Sequence, residues 1–178
     1  MAELLIVTGP PGAGKSTVAA QLASHREPSV LVEGDAFFAF LRRGRIDPWL
    51  PESDDQNTIV TDVAAGAAGR FAASGYWTVY DGVLGPWFLP RFVAASGLAS
   101  VHYAVLLPPV DMCVSRVRSR IGHGFTDRVA TEHMHQEFAD TTATLDARHV
   151  LRDAADAATL AARIATAVDA GHLTLTAP

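Results

Sequence analysis

The chain has 178 residues, of which 49% are apolar, and a formal net charge of −5 at pH 7. This length predicts a single domain over residues 1–178 with a sizeable core, and the acidic balance gives no support to nucleic-acid or anionic-membrane binding. The single cysteine, Cys113, excludes an internal disulfide. We therefore expect a packing role for its thiol and a reducing cytoplasm for the protein.

In the first half of the chain, apolar runs of strand length alternate with helical patterns. The predicted order is a strand at 3–8, a helix at 15–24, a strand at 29–35, a helix at 36–43, a loop at 44–53 and a helix at 54–74. The last of these helices is rich in alanine, and Ser53 or Asp54 is expected to cap its beginning. The apolar run at residues 4–7 is too short for a signal sequence or a membrane span.

The second half continues the same alternation. The predicted order is a strand at 76–82, a helix at 88–96, a strand at 101–107, a helix at 111–121, a loop at 122–127, a helix at 129–145, a strand at 149–152 and a helix at 157–168. This βαβα pattern predicts an α/β fold with a parallel sheet and helices on both faces. Ligands of such sheets bind at the carboxyl ends of the strands.

A complete phosphate-binding motif follows the first strand. The sequence GPPGAGKST matches G-x-x-x-x-G-K-[ST], and its residues are Gly9, Pro10, Pro11, Gly12, Ala13, Gly14, Lys15, Ser16 and Thr17. Its glycines let several backbone N–H groups face one anion, and the following helix adds its positive end. We expect the lysine to reach the β- and γ-phosphates of a nucleoside triphosphate. The Ser16 hydroxyl is expected to ligate Mg²⁺.

Two acids follow the second and third predicted strands. Asp35 is expected to position or deprotonate a substrate hydroxyl, and Asp81 to support Mg²⁺ or the substrate. The two acids can exchange these roles. The alternatives are a helix cap at Asp35 and a turn residue at Asp81. Gly34, Gly82 and Gly85 beside them are expected to let the backbone approach a ligand closely.

Arginines surround the glycine-containing loop at 122–127. Arg116 and Arg120 lie one helical period apart and share a face, whereas Arg118 points elsewhere. Arg120 and Arg128 are expected to close over the transferred phosphoryl group and neutralise its charge, and Arg116 to contact the nucleotide. The alternative is a solvated helix face with no role in the chemistry.

These features together resemble the small kinase branch of the AAA-type P-loop NTPases, such as chloramphenicol phosphotransferase and the gluconate and shikimate kinases. The sequence VEGD matches the place of the acid that meets the acceptor hydroxyl in those kinases. RSRIGHGFTDR resembles their arginine-bearing lid, here at about residues 120–130, and HVLRD resembles the segment that lines the adenine. The resemblance implies a three-layer fold with strand order 2-3-1-4-5, and ATP and Mg²⁺ as cofactors.

The acceptor side departs from the nucleoside monophosphate kinases, because the first arginine after Asp35 is Arg42. Aromatic residues occupy the two segments expected to form the acceptor pocket: Phe37, Phe38, Phe40, Trp49, Trp87 and Phe88. A largely apolar pocket suits a drug-like or aromatic alcohol, and ordinary core packing is the alternative for each ring. The candidate substrate-binding residues are Asp35, Phe38, Asp81 and Trp87.

The sequence therefore predicts a small-molecule kinase that uses ATP and Mg²⁺ to phosphorylate a hydroxyl group, for example of an antibiotic. Its expected partner is this acceptor, with no nucleic acid or membrane, and its oligomeric state is left open. One alternative is a nucleotide-dependent ATPase or switch that acts on a protein partner. The other is a nucleotide or polynucleotide kinase, which the acidic charge disfavours.

Overall fold

The computed structural model describes residues 3–119 and 127–176. The strands within these ranges are β1 (Leu4–Thr8), β2 (Ser29–Glu33), β3 (Trp77–Asp81), β4 (Ser100–Leu106), β5 (Val150–Leu151) and β6 (Thr174–Thr176). The α-helices are α1 (Lys15–Ala23), α2 (Gly34–Phe38), α3 (Asp54–Ala73), α4 (Leu89–Ser96), α5 (Val110–Ser119), α6 (Arg128–Thr141) and α7 (Ala157–Asp169).

The strands form one sheet in the order β2-β3-β1-β4-β5, and all of these pairs are parallel. This confirms the strand order that the resemblance implied. The short strand β6 pairs antiparallel with the first three residues of β4. This strand was not predicted from the sequence. In register, Val7 of β1 and Glu33 of β2 both lie opposite Asp81 of β3, so these three strands end level with one another.

The core lies on both faces of the sheet because successive side chains of each strand point to opposite sides. On β1, Leu5 and Val7 join the cluster formed with α1 and α7, whereas Leu4 and Ile6 join the cluster formed with α3 and α4. Burying each such leucine or isoleucine contributes about 1.5–3 kcal/mol to folding. Cys113 of α5 belongs to the first cluster, in agreement with its predicted packing role.

The predicted helix at 36–43 is wrong in both bounds. Helix α2 begins at Gly34 and ends at Phe38, and the chain then forms single turns up to Leu41. The apolar residues of the segment do not form one buried face, because Phe37 packs on the core and Phe40, three residues later, is 70% exposed. Without a continuous buried face, a longer helix gains no packing energy. Gly44, with φ 70°, then turns the chain into the loop.

Several other predicted boundaries shift by a few residues. Ser53 occupies the N-cap position of α3, but its hydroxyl donates to the carbonyl oxygens of Pro48 and Leu50 and caps nothing. Helix α6 begins at Arg128 and ends at Thr141, and Asp127 caps it by accepting a hydrogen bond from the Ala130 amide. Residues 120–126, which include Arg120 and most of the predicted lid, lie outside the described residues.

Candidate active site

The candidate site lies at the carboxyl edge of the sheet. The loop of residues 9–14 leaves β1 there, Asp35 lies in the first turn of α2, and Asp81 is the last residue of β3. Because these strands are parallel neighbours in the order β2-β3-β1, their ends meet at one edge. The topology therefore brings together the phosphate loop and both predicted acids.

The loop is held in shape by contacts that only glycine permits. Gly9, Gly12 and Gly14 have φ angles of 146°, 79° and 97°, which residues with a Cβ rarely adopt. A Cβ on Gly9 would lie 2.1 Å from the Leu106 carbonyl oxygen, and one on Gly12 would lie 2.3 Å from that of Cys113. The loop is therefore pressed against the end of β4 and the start of α5.

The charged end of the motif lies at the first turn of α1. Lys15 is half-buried and its Nζ donates a hydrogen bond to the Pro10 carbonyl oxygen at 3.1 Å, across the mouth of the loop. Ser16 and Thr17 are exposed on the same turn. The first turn of a helix presents backbone N–H groups that have no partner within the helix, so this arrangement suits an anion.

Arg116 of α5 reaches the loop, as its predicted nucleotide contact requires. Its Nη1 donates to the carbonyl oxygens of Gly12 and Ala13 at 3.4 and 3.3 Å. A small crevice beside it is lined by Ala13, Met112, Arg116, Leu151 and Asp153. Two of these residues belong to the segment expected to line the adenine, which places that segment next to the loop.

The two acids differ in their surroundings. Asp81 is only 7% exposed, whereas Asp35 is exposed at the start of α2. Both charges act on Tyr80, a buried residue of β3 whose ring lies 4.7 Å from that of Phe92. Burial, and then the charges of Asp35 and Asp81, raise the pKa of the Tyr80 phenol well above its usual range. No sequence motif had pointed to this tyrosine.

Three glycines near the acids have a different role from the one predicted. A Cβ on Gly34 or Gly82 would lie 2.5 or 2.7 Å from the Tyr80 hydroxyl oxygen, and one on Gly85 would lie 2.0 Å from the Trp87 ring. The room that these glycines provide is thus filled by side chains of the protein itself. The close approach of a ligand is not what requires glycine at these positions.

The segment that follows Asp81 is anchored to two strands. The amide of Leu84 donates to the Thr8 hydroxyl at 2.8 Å, and the Tyr103 hydroxyl donates to the Leu84 carbonyl at 2.8 Å. Thr8 and Tyr103 are fully buried. These contacts fix the start of the predicted acceptor segment, and no sequence signal indicated them because neither residue belongs to a motif.

The six aromatic residues of the predicted acceptor pocket do not share one environment. Phe37 and Phe88 pack against the core. The Trp87 ring lies 5.2 Å from that of Phe138 on α6, in an edge-on arrangement, and remains 38% exposed. Phe38 is half-buried. The most accessible rings are Phe40 and Trp49, with 70% and 41% of their surface exposed.

Of the two arginines predicted to close over the phosphoryl group, Arg128 lies within the described residues. Its Nε donates to Glu132 Oε1 at 2.7 Å, one turn along α6, and both side chains are exposed. Arg118 is exposed in the last turn of α5. Arg120 lies outside the described residues, so its predicted contact with the phosphoryl group stays a prediction.

The oxygen ligands needed for Mg²⁺ are available at the loop. Ser16 offers an exposed hydroxyl and Asp81 a carboxylate at the end of the neighbouring strand β3. Among the described residues no group of three or more His, Cys, Asp or Glu side chains could hold a metal ion. Mg²⁺ bound with nucleotide commonly uses only one or two protein ligands, with phosphates and waters as the others, so the residues present fit this ion.

Comparison with known proteins identifies the class of the chain. Residues 4–145 match the model of a family described as AAA domain. No curated protein sequence matches significantly. Within the described residues, no helix has the length and apolar character needed to cross a membrane.

Solved structures share the fold at low sequence identity. An unliganded sugar kinase from Janibacter sp. HTCC2649 is 22% identical, with 95% of each chain covered and a TM-score of 0.71. The tunicamycin resistance protein of Deinococcus radiodurans is 17% identical, with 94% of this chain and 96% of that chain covered and a TM-score of 0.70. A gluconokinase from Sinorhizobium meliloti 1021 is 19% identical, with 96% of each chain covered and a TM-score of 0.66.

Proposed function

This chain belongs to the AAA domain family and has a P-loop kinase-like fold, and on that premise we propose that it is a small-molecule kinase. It would transfer the γ-phosphate of ATP, with Mg²⁺, to a hydroxyl group of a small molecule such as an antibiotic or another drug-like alcohol. The observation that carries the proposal is the convergence of the phosphate loop, Asp35 and Asp81 at one edge of the sheet.

The similar structures support a transferase more than an ATPase that acts on a protein. They include a sugar kinase, a gluconokinase and an antibiotic resistance protein. Their names concern those proteins, and at these identities the likeness extends to the fold alone. We propose an uncharged alcohol as acceptor because the exposed rings of Phe40, Trp49 and Trp87 lie in the two segments that follow Asp35 and Asp81.

The phosphate end of the reaction would depend on the loop and α1. The loop N–H groups would bind the phosphates, and Lys15 would leave its contact with Pro10 and follow the charge on the β- and γ-phosphates. Arg116, already at the loop, would neutralise charge beside the nucleotide. Ser16 and Asp81 would hold Mg²⁺ and its waters; when bound, the ion offsets negative charge on the phosphates.

Asp35 would orient the acceptor hydroxyl for in-line attack on the γ-phosphorus and accept its proton. The bond from the γ-phosphorus to the bridging oxygen breaks as the bond to the acceptor oxygen forms, and ADP leaves. Because the transition state of phosphoryl transfer is loose, the proton leaves late. Positioning and charge stabilisation would therefore supply most of the rate increase.

Nucleotide binding can be tested by chemical modification of Lys15, because it is the only lysine in the sequence. An amine-acylating reagent should modify Lys15 and the N-terminal amine, and mass spectrometry of peptides separates the two. We expect MgATP to protect Lys15 while the N-terminal amine, which serves as the internal reference, reacts as before. Equal modification with and without MgATP would contradict ATP binding at the loop.

The acceptor can be identified by incubating the protein with γ-labelled ATP and a library of metabolites and antibiotics. A labelled small molecule of increased mass supports the kinase. ATP hydrolysis that a protein partner stimulates, with no labelled product, would favour the ATPase alternative. A labelled nucleotide or polynucleotide 5′-hydroxyl would favour the third possibility. We further propose a reducing cytoplasm as its location, since the thiol of Cys113 is buried and unbridged.

A further inference from the structure

Tyr80 directly precedes Asp81, and its hydroxyl fills the space beside the two glycines that flank the acids of the site. A Cβ on Gly34 would lie 2.5 Å from the phenol oxygen, and a Cβ on Gly82 would lie 2.7 Å from it. Gly34 directly precedes Asp35, and Gly82 directly follows Asp81. One buried oxygen therefore lies beside both of the turns that carry the acids.

Glycine is needed at these two turns for room and not for an unusual backbone angle. Neither Gly34 nor Gly82 has a positive φ, unlike Gly9, Gly12 and Gly14 of the loop. The Asp81 carbonyl oxygen would also lie 3.2 Å from a Cβ on Gly34. The Tyr80 hydroxyl and the last residue of β3 therefore both border the space beside Gly34, where β2 ends.

The Tyr80 ring is itself fixed. It is 4% exposed, packs at 4.7 Å from Phe92 of α4, and lies in register between Val32 of β2 and Ile6 of β1. A ring held in this way has little rotational freedom, so its oxygen is a rigid reference point.

We propose that Tyr80 is a positioning residue that sets the separation of Asp35 and Asp81, so that one acid faces the acceptor while the other faces Mg²⁺. The inference rests on the proposed kinase function and deepens it. Tyr80 acts through the backbone of the two turns and touches no reacting atom. The phenol oxygen contributes to the spacing at both turns, because it is the atom nearest to where a Cβ would lie on either glycine, and ring atoms lie almost as close beside Gly82.

Tyr80→Phe is the direct test, because it removes only the oxygen. We expect ATP affinity, measured by calorimetry, to stay within about twofold, since the loop binds the phosphates. The rate of Mg²⁺-dependent ATP turnover should fall about tenfold, and the Mg²⁺ concentration for half-maximal turnover should rise, because displacement of a catalytic group by about 1 Å can cost about a hundredfold.

Trp77→Phe is the control at the opposite end of the same strand. Trp77 is also a buried aromatic residue of β3, and its Nε1 donates to the Leu22 carbonyl at 2.9 Å. This variant should lower the melting temperature and leave both the rate and the Mg²⁺ requirement unchanged. Equal effects of Tyr80→Phe and Trp77→Phe on rate and Mg²⁺ requirement would reduce Tyr80 to a core residue and overturn the proposal.

A second pair of variants tests the packing of the Tyr80 hydroxyl beside Gly34 by thermal unfolding, with no nucleotide added. Gly34→Ala should strongly lower the melting temperature, because its Cβ would meet the Tyr80 oxygen. In the double variant with Tyr80→Phe, a large part of that loss should be recovered. Additive losses would overturn the proposal even if the protein binds ATP, which leaves the kinase function intact. A wild-type protein that binds no ATP would overturn the kinase function and the positioning role with it.

Discussion

The two edges of the sheet use their charged residues differently. At the amino-terminal edge, Arg26 lies over the Trp77 ring at 4.2 Å and forms ion pairs with Glu3, at 2.6 Å, and with Asp169. Trp77 in turn donates its Nε1 hydrogen to the Leu22 carbonyl at 2.9 Å. These contacts join the start of β1, the segment before β2 and the end of α7.

At the carboxyl edge, two cationic side chains contact the backbone of the loop, and one of the two acids lies exposed. Arg116 donates to two loop carbonyls, Lys15 donates to a third, and Asp35 is exposed at the start of α2. None of the ion pairs found between described residues includes Asp35 or Arg116. A charge with no ion-pair partner among the described residues is available to act on a ligand. The amino-terminal edge is therefore expected to contribute stability, and the carboxyl edge to contribute function.

Lys15→Ala should give the largest effect and the clearest separation of the two edges. Removing the only lysine should lower ATP turnover by about 10²–10³-fold, as loss of one preorganised donor to a reacting group does. The melting temperature should change little, because Lys15 lies at the end of the loop and its Nζ contacts the Pro10 carbonyl of the same loop. Calorimetry with ATP and thermal unfolding measure the two quantities. Turnover equal to that of the wild type would show that the loop assignment is wrong.

Asp35→Asn should follow in size. The change keeps the shape of the side chain and removes its charge, so acceptor phosphorylation should fall by about 10²-fold, the lower end for loss of a general base. ATP affinity should change little. Asp81→Asn is the control, and a metal role there should appear as a higher Mg²⁺ requirement. If Asp35→Asn phosphorylates the acceptor at the wild-type rate, Asp35 has no catalytic role and serves only the beginning of α2.

Arg128→Ala tests whether an exposed arginine at the start of α6 belongs to the functional edge. If its charge acts on the transferred phosphoryl group, turnover should fall about tenfold with little loss of ATP affinity. Glu132→Ala is the matched control, since it removes the partner at 2.7 Å and keeps the arginine. Steady-state kinetics of both variants measure the effect. If neither turnover nor ATP affinity changes in Arg128→Ala, Arg128 is a surface residue with no role in the reaction.

Arg26→Ala should have the opposite outcome at the other edge. The variant loses a cation–π contact and two ion pairs of partly exposed side chains, which together contribute about 1 kcal/mol. The melting temperature should therefore fall by about 3 °C, with ATP affinity and turnover unchanged. Arg26→Lys should recover only part of the loss. A changed ATP affinity would contradict the division between the two edges.

His102→Gln should give the smallest effect, visible only in the pH dependence. Burial lowers the pKa of His102, which lies half-buried on β4 near the amino-terminal edge. A histidine with a lowered pKa stabilises the fold above its unfolded value of about 6.5, and this contribution is lost as the pH falls below it. Melting temperatures between pH 7.5 and 5 should therefore decline less steeply in the variant, by about a degree or less. Parallel curves would exclude this contribution.

The sequence by itself determined the local chemistry. The phosphate loop was predicted from one continuous motif, and its strand–loop–helix context was confirmed in the fold. The alternation of strands and helices predicted a parallel sheet, and the resemblance supplied its order, which the structure confirms. Such features depend on periodicity and on residues close together in the chain, so a single sequence records them.

Tertiary structure alone decided which distant residues meet. Arg116 contacts Gly12 across 104 positions, and Arg26 pairs with Asp169 across 143. Gly34 and Gly82 gave a signal of close approach, but only the packing of β3 identified Tyr80 as the group that approaches. The physical reason is that a glycine in the sequence indicates that space is needed beside the backbone, but not which group fills that space. The group that fills it depends on how strands far apart in sequence pack together.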